Sequence, residues 1–289
     1  MIELLALGSA VLYGSADFFG GLTARRANTI ATVFWSQFVG LVLLALFLPF
    51  LPAATVSSRD WTWGFVAGLS GGIGVALLYR ALAVGAMAVV APTTAVIAAM
   101  IPVAFAFVMG ERLRPMTLGG VAFALVAIAL VSRPASESGT DSAKAKPRGF
   151  PPGFGLALLS GVAVGIFFLS LARTSTAAGM WPLMAARLSS ITLFGLIALV
   201  TKRTLRMSRT AATTATAGGA LDMAANALYM TAARIGPLSI VVTLASLYPA
   251  STVVLARFIL GERLSWVQIL GIACALGAVA IIVSQGGAV

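Results

Sequence analysis

Runs of about twenty apolar residues follow one another along almost the whole chain, and this spacing constrains the fold more than any other feature. The runs cover residues 4–24, 31–51, 63–84, 88–109, 116–132, 153–172, 181–200, 213–234, 238–260 and 266–284. Each comes close to the ~20 residues that a helix needs to cross the ~30 Å hydrocarbon core of a bilayer. Apolar residues make up 60% of the chain and charged residues 9%, against roughly 45–50% and about 25% in soluble domains. Such side chains cannot all be confined to one face of each helix, so lipid must solvate much of the surface. The expectation is an all-α integral membrane protein with ten transmembrane helices. Asp17 lies inside the first run, and Glu3 rather than a basic cluster precedes it, which predicts a retained helix and not a cleaved signal peptide.

The chain has no histidine and a single cysteine, Cys274. Imidazole bases, histidine metal sites and intrachain disulfides are thereby excluded, and neither a cofactor nor a metal is expected. No G-x-x-x-x-G-K-[ST] stretch supplies a phosphate-cradling loop for ATP, so energy must come from gradients. A membrane enzyme would need a nucleophile or metal cluster, and only scattered serines and two buried aspartates are present; no catalytic role is expected. The net charge is +11, but the Lys and Arg residues fall mostly between the apolar runs. That pattern sets orientation in a membrane and offers no aromatic-interleaved stripe for nucleic acid. The expected partners are the lipid bilayer and a small-molecule substrate, with the chain a monomer or homodimer in a bacterial inner (plasma) membrane.

Residues 133–150 (RPASESGTDSAKAKPRGF) form the one long polar stretch and read as a linker. It separates a first five-helix repeat, residues 1–132, from a second, residues 151–289. A shift of 151 residues lays one half on the other without a gap: Ser9 meets Ser160, Gly14 meets Gly165, Gly68 meets Gly219 and Gly85 meets Gly236. The strongest stretch puts Gly110-Glu111-Arg112-Leu113 on Gly261-Glu262-Arg263-Leu264. An odd number of spans per half inverts the second copy, so the fold expected is two inverted five-helix repeats around a central cavity. Such pairs have two nearly equivalent packings, the physical basis of alternating access.

These residues carry a resemblance. Two five-span copies, each with a G-E-R-L turn before its last helix, resemble the ten-span EamA-type branch of the drug/metabolite transporter superfamily. The YGSADFFGG stretch of span one, and Pro102 and Pro249 upstream of the turns, add to the likeness. The resemblance covers the whole chain. It implies a basket of helices in which spans one to four and six to nine line the cavity, with spans five and ten outside, and a cargo among amino acids, sugars, nucleotide sugars and drugs. It also implies termini in the cytoplasm. The charge count implies the reverse: most Lys and Arg, among them Arg25, Arg26, Lys202, Arg203, Arg206 and Arg209, follow odd-numbered spans, which puts both termini outside.

A charge at membrane depth costs at least ~2.5–3.5 kcal/mol, so those retained are functional candidates. Asp17 reads as a proton- or cation-binding carboxylate, or as an acid that pins span one. Asp222, Asn226 and Tyr229 share one face of span eight, either a binding wall or a hydrogen-bond ladder for assembly. Arg187 cannot shed its charge and needs Asp222 or Asp17, unless it faces a substrate carboxylate. Its counterpart in the first half is Ser36, flanked by Trp35 and Gln37. Trp35, Tyr79 and Tyr229 are the aromatic candidates for stacking on a solute, against anchoring at the interface. Pro102 and Pro249 are candidate gating kinks, and Glu111 and Glu262 are expected to tie their turns with neighbouring Arg and backbone amides. The function expected is secondary active transport, in the direction of export, of small organic solutes (amino acids, metabolites or drugs) by alternating access with proton coupling. A passive facilitator or exchanger, or a non-transporting scaffold, is the alternative.

Overall fold

Several helix starts in this chain are set where side chains satisfy the first free backbone N–H groups. Asn28 accepts from the Ile30 amide at 3.0 Å, and Ser57 with Asp60 forms a capping box. The computed structural model describes residues 1–108, 115–131, 150–235, 241, 244–245 and 247–286. These fold into α1 (Ile2–Ala24), α2 (Thr29–Phe47), α3 (Ser58–Val84), α4 (Met87–Val108), α5 (Pro115–Val131), α6 (Phe154–Ala172), α7 (Trp181–Val200), α8 (Arg209–Ile235), α9 (Tyr248–Ile259) and α10 (Trp266–Gly286). No strand occurs among the described residues. Among the described residues, five segments are long and apolar enough to cross a membrane: Ile2–Ala24, Thr29–Phe50, Ser58–Val84, Phe154–Ala172 and Trp181–Val200. Met87–Ile101 and Trp266–Ile281 are shorter apolar helices. Phe47, Leu199, Val200 and Phe258 stand exposed on the outside of the bundle, as expected of a surface solvated by lipid.

One expected span is interrupted. Residues 238–260 read as one continuous run, yet α9 opens only at Tyr248, after a turn at Leu247, and Pro249 stands in its first turn. Val241, Leu244 and Ala245 before that turn are helical, so Pro249 starts the helix that follows a break in the span. A first-turn residue needs no hydrogen-bonded N–H, which is the place where proline is tolerated. Pro102 does fall within a helix, α4. The Gly110–Leu113 turn with Glu111, and the linker up to residue 149, lie outside the described residues.

Contacts at the helix ends fix the directions of the two halves. Arg25, just past α1, donates to the carbonyls of Leu82 and Gly85 at the end of α3. Gly85 in turn abuts Pro152, and Gly153 abuts Ala81, at the start of α6. The end of α1 thus shares a face with the start of α6, and the leading helices of the two halves run in opposite directions. Thr23 bonds Thr214 at the start of α8 at 2.8 Å, and Trp35 bonds Leu205 of the α7–α8 connection at 2.9 Å, both on this face. We call it the basic face, after Arg25, Arg26, Lys202, Arg203, Arg206 and Arg257. On the opposite, terminal face, Asp60 at the head of α3 accepts from the Ser175 amide at 2.6 Å, and the Thr55 amide donates to Ala177 at 3.0 Å.

Packing between the halves follows the same exchange. α1 packs on α8 as α6 packs on α3; α2 on α8 as α7 on α3; α4 on α6 as α9 on α1. Three further pairs, α2 with α7, α4 with α9 and α5 with α10, are exchanged with themselves, and α4 packs on α10 besides. Matching glycines mark the tightest crossings. A Cβ on Gly68 would overlap Ser189 and Ala186 of α7, and one on Gly219 would overlap the Ser36 carbonyl of α2. The absence of a side chain lets each pair of backbones close up.

Candidate functional site

Three polar groups meet where α2, α7 and α8 cross. Arg187, six residues into α7, donates through Nη1 to Gln37 Oε1 of α2 and through Nη2 to Asp222 Oδ2 of α8. The guanidinium reaches Gln37 across Gly40, whose missing side chain leaves room: a Cβ there would lie 3.2 Å from Arg187 Cζ. Asp222 stands at the middle of α8, with Arg209 and Ile235 at its ends. One turn on, Asn226 Nδ2 donates to the Asp222 carbonyl at 2.7 Å and reaches its Oδ2 at 3.4 Å. The side chain of Arg187 is 11% exposed and that of Asp222 28%, so the pair is sheltered without being sealed.

Asp17 lies beside this pair on α1, close enough for its charge to act on Asp222 of α8, Tyr79 of α3 and Tyr248 of α9. Among the described residues it has neither a hydrogen-bond partner nor an ion pair. Yet no fully buried side-chain oxygen or nitrogen among them lacks a partner. The carboxylate oxygens of Asp17 are therefore accessible, deep in the bundle though they are. Its neighbours on the helix are aromatic at either side. Tyr13, one turn earlier, meets Tyr248 edge-on with ring centroids 6.5 Å apart. One turn later is Gly20, on which the Tyr79 ring is seated. The Tyr79 phenol lies near the Ser36 side chain. Tyr229 lies near Tyr13 and packs on the cluster of Ala6, Ala232 and Val241.

Toward the basic face the space beside Asp17 is closed. Phe18, Leu78, Leu82, Met87 and Val90 form one buried cluster, and every residue of α4 from Met87 to Val96 is buried, whereas Ala104 and Phe105 are exposed. Glu262 secures the seal. Gly261 takes a left-handed conformation, φ 67°, which a glycine adopts without strain, and the turn it makes brings the Glu262 carboxylate to the head of α4. There it accepts from the Met87 and Ala88 amides at 3.0 and 3.2 Å and lies 3.7 Å from Arg25 Nη2. Two surface depressions, one beside Val253 and Phe258 and the other beside Leu48 and Trp181, lie away from the Asp17 cluster.

The structure thus brings Asp17, Gln37, Tyr79, Arg187, Asp222, Asn226 and Tyr229 into one neighbourhood. Trp35 is not part of it. The indole donates to the Leu205 carbonyl and packs edge-on against Phe34 and Phe38, so Trp35 ties α2 to the α7–α8 connection at the bundle's rim. Tyr13 and Tyr248 join the site in its place. Tyr13 could have been found from its position one turn before Asp17 on the same helical face; Tyr248 carries no signal that separates it from an interface anchor.

No curated protein matches the chain. One solved structure, described as the crystal structure of a protein, superposes with a TM-score of 0.61 at 19% identity, over 97% of this chain and 95% of that one. At that identity the likeness shows the fold alone. The EamA-like transporter family matches twice, over residues 1–133 and 151–284, the two segments whose helices pack by exchange. The chain belongs to the EamA-like transporter family and is a multi-pass membrane transporter of the drug/metabolite type.

Proposed function

We propose that the protein is a secondary active exporter of small organic solutes, working by alternating access between two inverted five-helix repeats, residues 1–132 and 151–289, joined by the 133–150 linker. In this reading ten helices span the membrane and the solute sits between the halves, against Asp17 and the Arg187–Asp222 pair. The observation that carries it is the accessible Asp17 carboxylate, without a partner among the described residues, where helices of both halves converge. An acid kept at this depth without a partner needs a mobile cation or a proton to neutralise it. We assign proton coupling to Asp17 on that ground, with Tyr13, Tyr79, Asp222 and Tyr248 as the titratable groups that face it. Oppositely directed halves with matched crossings support the rocking motion, since each contact broken on one face has a counterpart on the other.

The test is counterflow into liposomes that contain the purified protein, with labelled amino acids, sugars and amines as separate cargo pools. Accumulation of at least one pool against a pH gradient, abolished by Asp17→Asn in a variant that still folds and inserts, is expected. Dissipation of a preformed solute gradient with no response to pH would identify a passive facilitator. Absence of flux for every pool would refute transport by this chain alone.

A further inference from the structure

We infer that the solute this site receives is an organic cation, held by Asp17 between the rings of Tyr13, Tyr79 and Tyr248. The inference rests on the transport reading and adds the charge class of the cargo. Of the three deep charges, Arg187 and Asp222 neutralise each other. A second guanidinium nitrogen of Arg187 is taken by Gln37. A carboxylate brought to Arg187 would either compete with Asp222 for it or set a third negative group, with Asp17 and Asp222, against one guanidinium. A cation needs no such exchange, because Asp17 is accessible and unpaired among the described residues. The fixed charge of the cluster is then −1, from Asp17 and Asp222 against Arg187, and a monovalent cation brings it to zero.

The walls favour the same charge. Tyr13 and Tyr248 stand edge to face, and Tyr79 is held over Gly20 one turn beyond Asp17. Aromatic faces carry negative electrostatic potential and attract cations, most of all where water is excluded. The three rings come from α1, α3 and α9, so both halves contribute, and a bound cation would bridge them.

Three probes with a shared ring and different charges test this on the full-length protein: benzyltrimethylammonium, phenylalanine and benzoate. The quaternary cation cannot lose its charge, so its binding reports charge recognition and not proton transfer. Calorimetric titration should show binding of benzyltrimethylammonium, weakened about ten-fold or more by Asp17→Asn and largely kept by Asp17→Glu. Tyr13→Leu, which leaves every charge in place, should weaken it several-fold and serves if the Asp17 variants do not fold. Tighter binding of phenylalanine or benzoate, undiminished binding in both Asp17→Asn and Tyr13→Leu, or no binding of the cation overturns the assignment. The same probes in counterflow separate the two levels. Flux of phenylalanine or benzoate without flux of the cation ends the cation assignment and leaves transport standing, whereas silence for every solute class ends both.

Discussion

Arg187 and Asp222 are worth most as a pair, and removing either member alone is worse than removing both. A guanidinium stays charged whatever its surroundings, so Asp222→Leu leaves it held by Gln37 alone, while Arg187→Met leaves a second bare carboxylate beside Asp17. Breaking a fully buried pair costs roughly 3–5 kcal/mol. With Asp222 still 28% exposed, a loss of about 1–3 kcal/mol is expected for each single variant. The double variant should recover part of that loss, giving a coupling above about 1 kcal/mol in a double-mutant cycle of thermal unfolding; additive losses would show the contact to be incidental. At this scale the sequence was informative about depth and poor about direction. Asp17, Arg187 and Asp222 stood out because charge is costly inside a membrane, but either acid was within reach of Arg187. Trp35 was drawn toward the site by its closeness to Gln37 in sequence. Two residues along a helix are about 200° apart around the axis, and the two side chains face opposite ways.

Between elements, the two glycines that the 151-residue shift superposes do the same work at different crossings. Gly68 admits α7 to α3, and Gly219 admits α2 to α8. Alanine raises helix propensity by up to about 1 kcal/mol over glycine, yet at both positions the added methyl would meet backbone of the neighbouring helix, which cannot swing aside. Gly68→Ala and Gly219→Ala are each expected to lower stability by about 1–3 kcal/mol. Gly155→Ala, where a Cβ meets nothing within 4 Å, should be neutral or slightly stabilising. Melting of the three purified variants checks this, and equal behaviour of all three would mean that the crossings relax at no cost. Periodicity located the helices well because lipid imposes length on them. At α9 it gave one apolar run with a kink at Pro249 and did not give the turn at Leu247: hydropathy registers what a segment is dissolved in, not where its backbone is broken. Glu262 was legible in part, since a carboxylate in a short turn among arginines invites pairing, but its hold on the α4 amides depends on the fold.

For the molecule as a whole, the duplication was the most legible property, and the site within it the least, because the site breaks the symmetry. Asp17 superposes on Phe168, Asp222 on Gly71 and Gln37 on Leu188, so one copy supplies groups that the other lacks, and comparison of the halves cannot reveal them. Orientation is likewise a property of the whole. Helix-end contacts collect Arg25, Arg26, Lys202, Arg203, Arg206 and Arg257 on one face, while the opposite face carries the N-terminus, Glu3 and Asp60 with Arg59 and Arg173. Cytoplasmic loops carry the excess of Lys and Arg, and five of these basic residues lie in the short connections after α1 and α7, the length class in which the bias acts. The basic face should therefore be cytoplasmic and both termini outside, which makes the Glu262 seal an inner one and leaves Asp17 to be approached from outside in this conformation. Single cysteines in a Cys274→Ala background decide the matter, with Ala53→Cys on the terminal face and Thr204→Cys on the basic face, both at exposed positions. A membrane-impermeant maleimide should label Ala53→Cys in intact cells and Thr204→Cys only after permeabilisation. The reverse pattern would put the termini in the cytoplasm and show that charge bias does not govern how this chain is inserted.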